Sequence, residues 1–154
     1  ALDRRMRGPS FQPFKVTVFN THFYHLFDSP KPEYNRRTVY RANVITGRDP
    51  LLDCFDCPSP SVATPQRRTT ITPTQALALM NNSFVLRQSR LFAERVKEHA
   101  GSNVVAQIDQ AFQMALTRSP TAKEQSQMSA LVNQHGLANA CWVLLNSSEF
   151  LYSN

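Results

Sequence analysis

Two pairs of side chains have the spacing of metal or redox chemistry: His22 and His25 read H-x-x-H, and Cys54 and Cys57 read C-x-x-C. Zinc takes imidazole and thiolate ligands tetrahedrally, and structural sites are commonly assembled from two close pairs. The histidine spacing is tighter than the three to five intervening residues usual in such sites. No metal is therefore expected, and these four side chains are the nearest approach to a ligand set. A disulfide between Cys54 and Cys57 and a pair of free thiols are the other readings. Three cysteines are too few for a disulfide scaffold, and the odd count leaves at least one thiol unpaired within the chain. Cys141 falls inside an apolar run and reads as a small core residue.

The second constellation is Arg36, Arg37, Arg41, Arg67 and Arg68. Paired guanidinium groups grip carboxylate, sulfate or phosphate bidentately, so an acidic glycan or another anion is one partner they would suit. The competing reading pairs them internally with Asp28, Glu33, Asp49, Asp53 and Asp56, fastening loops to a helical body. Nucleic acid is a poorer fit, because no predicted helix carries a basic face.

Signals for catalysis are sparse. The chain has no G-x-S-x-G, no H-E-x-x-H, and no phosphate-cradling loop among its four glycines. Asp56 and Glu149 read as carboxylates without a mate at a legible spacing.

These residues must be positioned by 154 residues, the length of one domain or of a piece of a larger one. An apolar share of 42% with 18% charged residues is that of a globular chain. No stretch approaches the ~18 apolar residues of a membrane-spanning helix. The net charge of +6 is unevenly placed: residues 1–68 carry eleven basic and six acidic side chains, residues 69–154 six and five. Eight of the ten prolines precede residue 66. The expectation is an irregular segment over 1–68, rich in Arg, Pro and aromatics and poor in β structure, followed by a helical cluster over 69–154.

In the front segment, Phe14, Val16 and Val18 alternate with Lys15 and Thr17 as a short strand would. Asp28-Ser29-Pro30-Lys31-Pro32 is turn chemistry. Arg36–Ile45 reads as a short helix or an extended piece that Gly47-Arg48-Asp49-Pro50 ends. Pro58–Pro65 reads as a loop. The aromatics from Phe11 to Phe55 lack periodicity and need a surface to cover, either the helical half or a part of a longer protein, unless they line a groove.

In the back segment the signals are local and mutually consistent. Thr72-Pro73-Thr74-Gln75 is a capping box with Pro at the first helical position, and Ala76, Leu77, Leu79 and Met80 are its expected buried face. A second helix runs from about Ser83 to Ala100, with Phe84, Leu91, Phe92 and Val96 inward and Gly101 beyond its end. Asn103 caps a third helix with Val104, Ile108, Ala111, Phe112, Ala115 and Leu116 on one stripe. Thr121-Ala122-Lys123-Glu124 opens a fourth that closes at Gly136. A fifth, from Leu137 to about Asn146, is apolar around its whole circumference and belongs at the centre. About five helices over residues 73–152 with short connections predict a mainly α fold, an antiparallel helical cluster.

The wording of several segments carries a resemblance. Leu2-Asp3-Arg4-Arg5-Met6-Arg7-Gly8-Pro9-Ser10 is followed by Asn35-Arg36-Arg37-Thr38-Val39-Tyr40-Arg41 and Phe55-Asp56-Cys57-Pro58. Then come Arg67 to Asn81 with its P-T-Q-A-L-A-L helix start, Ala115-Leu116-Thr117-Arg118-Ser119-Pro120-Thr121 with Glu124, and Leu144 to Tyr152. The chain resembles the planctomycete C-terminal domain of unknown function, of the PSD type, found in large proteins that also carry a cytochrome c domain. The resemblance implies a long parent protein whose N-terminal remainder is this chain's partner, exported to the periplasm or beyond the cell, in company that suggests glycan breakdown. A structural or interaction module follows from it, with an anion-binding module, or half of an active site completed by that remainder, as alternatives. The resemblance supplies no catalytic residues. It implies no haem in this chain, because attachment needs C-x-x-C-H and Cys57 is followed by Pro58. Arg7 stands where the family carries a second glycine, and the family pattern Phe-Asp-x-Pro requires neither cysteine.

Overall fold

The computed structural model describes residues 3, 5–45, 47–59, 61–66 and 72–152. The chain divides into two compact units, Ala1–Leu79 and Met80–Asn154.

The second unit is built as its local signals predict. Helix α3 (Ser83–Ala100) starts at Asn82, whose side chain accepts from the Phe84 N–H, and ends at Gly101 with φ 66°. Helix α4 (Val104–Leu116) starts at Asn103, which accepts from the N–H groups of Val105 and Ala106. Helix α5 (Ala122–His135) opens on the capping box of Thr121 and Glu124, each side chain satisfying the other's backbone N–H. Gly136, with φ 86°, separates it from α6 (Leu137–Leu145), and Ser147 caps the short α7 (Ser148–Leu151). Helix α6 packs against α3, α4, α5 and α7, and α4 packs against α3 and α5.

The core of this unit joins Ala93 and Val96 of α3, Ile108, Ala111 and Phe112 of α4, Met128 of α5, and Leu137, Ala140, Cys141 and Leu144 of α6. Two expectations are corrected in detail. On α3 the buried stripe is Val85, Ser89, Ala93 and Val96; Phe92 packs partly against the core, but Phe84 is exposed. Helix α6 turns four residues inward yet leaves Val143 exposed, so its apolar circumference is not covered on every side.

Among its described residues, the first unit contains a hairpin, two short 3-10 turns, one short helix and most of a second. Strands β1 (Phe14–Val18) and β2 (His22–Leu26) pair antiparallel, with Val16 opposite Tyr24. The second strand went unread because its residues do not alternate in polarity. One 3-10 turn, Pro32–Tyr34, follows the Pro-rich turn, and a second, Thr38–Tyr40, occupies part of the stretch Arg36–Ile45 expected to be helical or extended. Single parallel bridges, Asp3 to Arg36 and Phe11 to Arg41, lay the N-terminal segment beside it.

Asp49-Pro50 begins a helix as well as ending the preceding stretch. The Asp49 carboxylate accepts from the Leu51 N–H, Pro50 takes the first helical position, and α1 spans Pro50–Cys54. The helix closes in a Schellman arrangement: Cys57 N–H donates to Leu52 O, Asp56 N–H donates to Asp53 O, and Asp56 has φ 55°. Glycine is required at position 47, because a Cβ there would clash with the Val44 side chain and lie 3.3 Å from Tyr24 Cβ.

Helix α2 (Pro73–Asn81) has the predicted capping box, with Thr72 N–H to Gln75 Oε1 at 3.1 Å and Gln75 N–H to Thr72 Oγ1 at 3.4 Å. Its expected apolar face is overturned. Leu77 is 59% exposed, Ala76 and Met80 are exposed, and the buried residue is Gln75, folded back into its own cap. Five consecutive apolar residues, Ala76–Met80, leave periodicity nothing with which to choose a face.

Candidate functional site

The arginine constellation lies in the first unit, where each described member has a different partner. Arg36 reaches the segment before β1, its two terminal nitrogens donating to Pro9 O and Arg7 O, both at 2.8 Å. Its guanidinium carbon stands 4.2 Å from the centre of the Tyr40 ring, within cation–π range. Tyr40 completes the clamp, since its hydroxyl accepts from the Arg7 N–H at 2.9 Å. The held segment turns through two consecutive residues of positive φ, Arg7 at 68° and Gly8 at 91°. The tight turn is therefore formed with Arg7, rather than a glycine, as the first of its two positive-φ residues.

Arg41 forms an ion pair with Asp49, and its side chain is only 13% exposed. Asp49 thereby both caps α1 and holds Arg41. Arg48, outside the predicted set, pairs with Asp53, Nε to Oδ2 at 3.0 Å. Arg37 is exposed, with Nη1 3.9 Å from Met6 Sδ. Arg67 and Arg68 lie outside the described residues. Arg36 and Arg41 thus act as internal clamps, the first on carbonyls and the second on a carboxylate anticipated as a partner.

Two neighbouring cavities flank α1. One of about 620 Å³ is lined by Arg48, Asp53, Asp56, Cys57, Thr64 and Gln66 among others. The other, of about 280 Å³, reaches Arg41, Asp49 and Leu52 and shares Arg48, Asp53, Cys57 and Pro58 with the first. The Arg48–Asp53 pair in the shared wall presents both a donor and an acceptor, suited to a polar neutral surface rather than to gripping a bare anion.

The histidine and cysteine pairs do not meet in one ligand set. His22 and His25 are three apart on a strand, which directs them to opposite faces. Cys54 and Cys57 are free, partly buried thiols at the end of α1. Among the described residues, no group of three or more His, Cys, Asp and Glu side chains is placed to hold a metal ion.

In the second unit sequence reading missed an ionic knot. Arg118 donates to both Glu124 oxygens at 2.8 and 3.0 Å and to both Glu149 oxygens at 2.7 Å, and lies over the Phe112 ring at 5.4 Å. Glu149 therefore has the mate its sequence neighbourhood did not show. The Arg118 bonds, helped by Thr121, bring Glu124 down to about 2, and Arg118 likewise lowers Glu149, while the two carboxylates raise Arg118. A cation saturated by two carboxylates binds loop to helix; it offers nothing to a substrate.

The model of the PSD1 family, a protein of unknown function (DUF1553), matches residues 1–132. The chain belongs to this family. The PSD1 match takes in the Arg36 clamp, the cavities beside α1, and the Arg118–Glu124 half of the knot, and stops short of α6 and Glu149. Comparisons with curated proteins and with solved structures return no match. Among the described residues, no helix of this PSD1 chain is long and apolar enough to cross a membrane.

Proposed function

We propose that the chain is a structural and interaction module at the C-terminal end of an exported protein that also carries a cytochrome c domain. Its front half is the seat for the N-terminal remainder of that parent. The observation that carries this reading is where the core lies. Among the described residues, the buried apolar side chains other than Pro13 all fall between Val85 and Leu144.

The first unit has aromatics in abundance but no such core. Phe11, Phe14, Tyr24, Phe27, Tyr34, Tyr40 and Phe55 are half-buried, and Phe19 and Phe23 are exposed. They pack edge to face on one another, as Phe14 does on Tyr24 at 5.3 Å and Phe27 on Tyr34 at 5.5 Å. Rings of this size contribute their full stabilisation only when water is excluded from both faces. A partner laid over them would complete the burial that the unit lacks.

Glycan breakdown coupled to redox chemistry, in the periplasm or outside the cell, is the parent's setting on this reading. An acidic-glycan site built on Arg36 and Arg41 is disfavoured, since both guanidinium groups are already engaged.

Hydrogen exchange on the 154-residue chain and on its parent tests the proposal. Amides of residues 11–57 should exchange far faster than those of 85–144 in the chain alone and become protected in the parent. Equal protection of both units in the chain alone, or no gain in the parent, would sink it.

A further inference from the structure

The hairpin's bonding phase shows which backbone groups its strands leave over. In an antiparallel ladder, opposed residues alternate between pairs that exchange both hydrogen bonds and pairs whose N–H and C=O groups point away. Phe27 N–H donates to Pro13 O and Phe19 N–H donates to Thr21 O, each at 3.0 Å. The register opposes Lys15 to His25 and Thr17 to Phe23 in the same phase. The odd-numbered pairs are therefore the bonded ones, and on β2 the backbone groups of His22, Tyr24 and Leu26 face outward. Among the described residues, no strand pairs with that edge and no backbone hydrogen bond reaches it.

The two edges of the hairpin are guarded differently. Strand β1 carries Lys15 and is entered through Pro13, two devices that blunt an edge against further pairing. Strand β2, His22-Phe23-Tyr24-His25-Leu26, contains no Pro, Gly, Lys, Arg, Asp or Glu, and its Phe23 is 52% exposed. A hairpin of two strands is marginal by itself in water, whereas three or more strands sustain a sheet.

Strand β2 is also its own complement. An antiparallel pairing centred on Tyr24 opposes Tyr24 to its counterpart and His22 to Leu26, so outward-facing groups meet outward-facing groups. It sets Phe23 against His25, ring to ring on the exposed face, and opposes no like formal charges. We infer that two copies of this chain associate through the outer edge of β2, forming a continuous sheet β1-β2-β2′-β1′ about a two-fold axis at Tyr24. The partner is a second copy of this chain, and the inference stands apart from the proposal about the parent.

Sedimentation equilibrium and residue-resolved amide exchange, run on the chain over a range of concentrations, test it. A dimer should form at high concentration, with the Tyr24 and Leu26 amides slowing as it does. The Val16 and Val18 amides, on the outer edge of β1, should stay open. Phe23→Lys removes the ring that meets the partner's His25 and puts a charged side chain on the pairing strand, and should weaken association about tenfold. Thr17→Lys, on the same face but on β1, should leave association unchanged. An unchanged melting transition of the helical unit verifies that both variants remain folded. A monomer at millimolar concentration, a dimer whose Tyr24 and Leu26 amides stay open, or a folded Phe23→Lys chain that dimerises normally would each overturn the inference.

Discussion

Arg118 holds Glu149 through two hydrogen bonds of 2.7 Å across 31 residues of sequence. The same guanidinium grips Glu124 at the start of α5, so one side chain fastens the loop after α4, the first turn of α5 and α7. Bidentate pairs to a planar fork are geometrically exacting, which lysine cannot reproduce.

This knot gives the helical unit an acid-sensitive component. Glu124 titrates at about 2 in the folded chain instead of 4.5, and Glu149 is also lowered. Between those pH values the unfolded chain binds more protons than the folded one. The stabilisation is thus present above about pH 4.5 and is lost as pH falls towards 2. Melting temperatures from pH 7 down to 2 should decline through this window, and Arg118→Ala should flatten the decline. An identical decline in the variant would mean that other groups cause it.

Thr117 ends α4 in the left-handed region, with φ 58° and ψ 22°, where its branched side chain is strained. Thr117→Gly should raise the stability of the helical unit by about 0.5–1 kcal/mol, the relief exceeding glycine's extra unfolded-state entropy. Denaturant midpoints at unchanged slope measure this, and Thr117→Ala should give much less.

Arg36→Ala removes both bonds to the Arg7 and Pro9 carbonyls together with the stack on Tyr40. Tryptic cleavage after Arg5 or Arg7 should accelerate about tenfold, the factor for losing a little over 1 kcal/mol of local closure. Arg36→Lys should recover only part of it, because an ammonium has no fork to span two carbonyls. Wild-type cleavage rates in the alanine variant would show that the clamp holds nothing.

Burial pushes the Cys141 thiol up to about 12, so at neutral pH it carries no nucleophilic thiolate. Cys54 and Cys57 are partly exposed. A thiol reagent should modify those two quickly and Cys141 only as the helical core opens. Timed mass spectrometry separates the phases, and simultaneous modification of all three would contradict this core packing.

What sequence reading recovers here is whatever a few adjacent residues decide. The caps at Thr72, Asn103 and Thr121 and the breaks at Gly101 and Gly136 were legible, because each is a bond or a backbone torsion within one turn. Strand β2 was hidden because His22, Phe23, Tyr24, His25 and Leu26 are amphipathic rather than alternating. Helix α1 was hidden because Asp49-Pro50 serves equally as a stop and a start. The mates of Glu149 and Arg36 were illegible for a different reason: each is far along the chain, and spacing carries no information about it.

Gly136 closes α5 and opens α6 with a single residue between the helices. No slack exists there to absorb a change in length. Each residue added or removed would rotate α6 by about 100° relative to α5, turning its buried stripe of Leu137, Ala140, Cys141 and Leu144 out of register with the core. Insertions and deletions acceptable among residues 61–66 should thus be lethal at this joint, and length variation among natural relatives should avoid it.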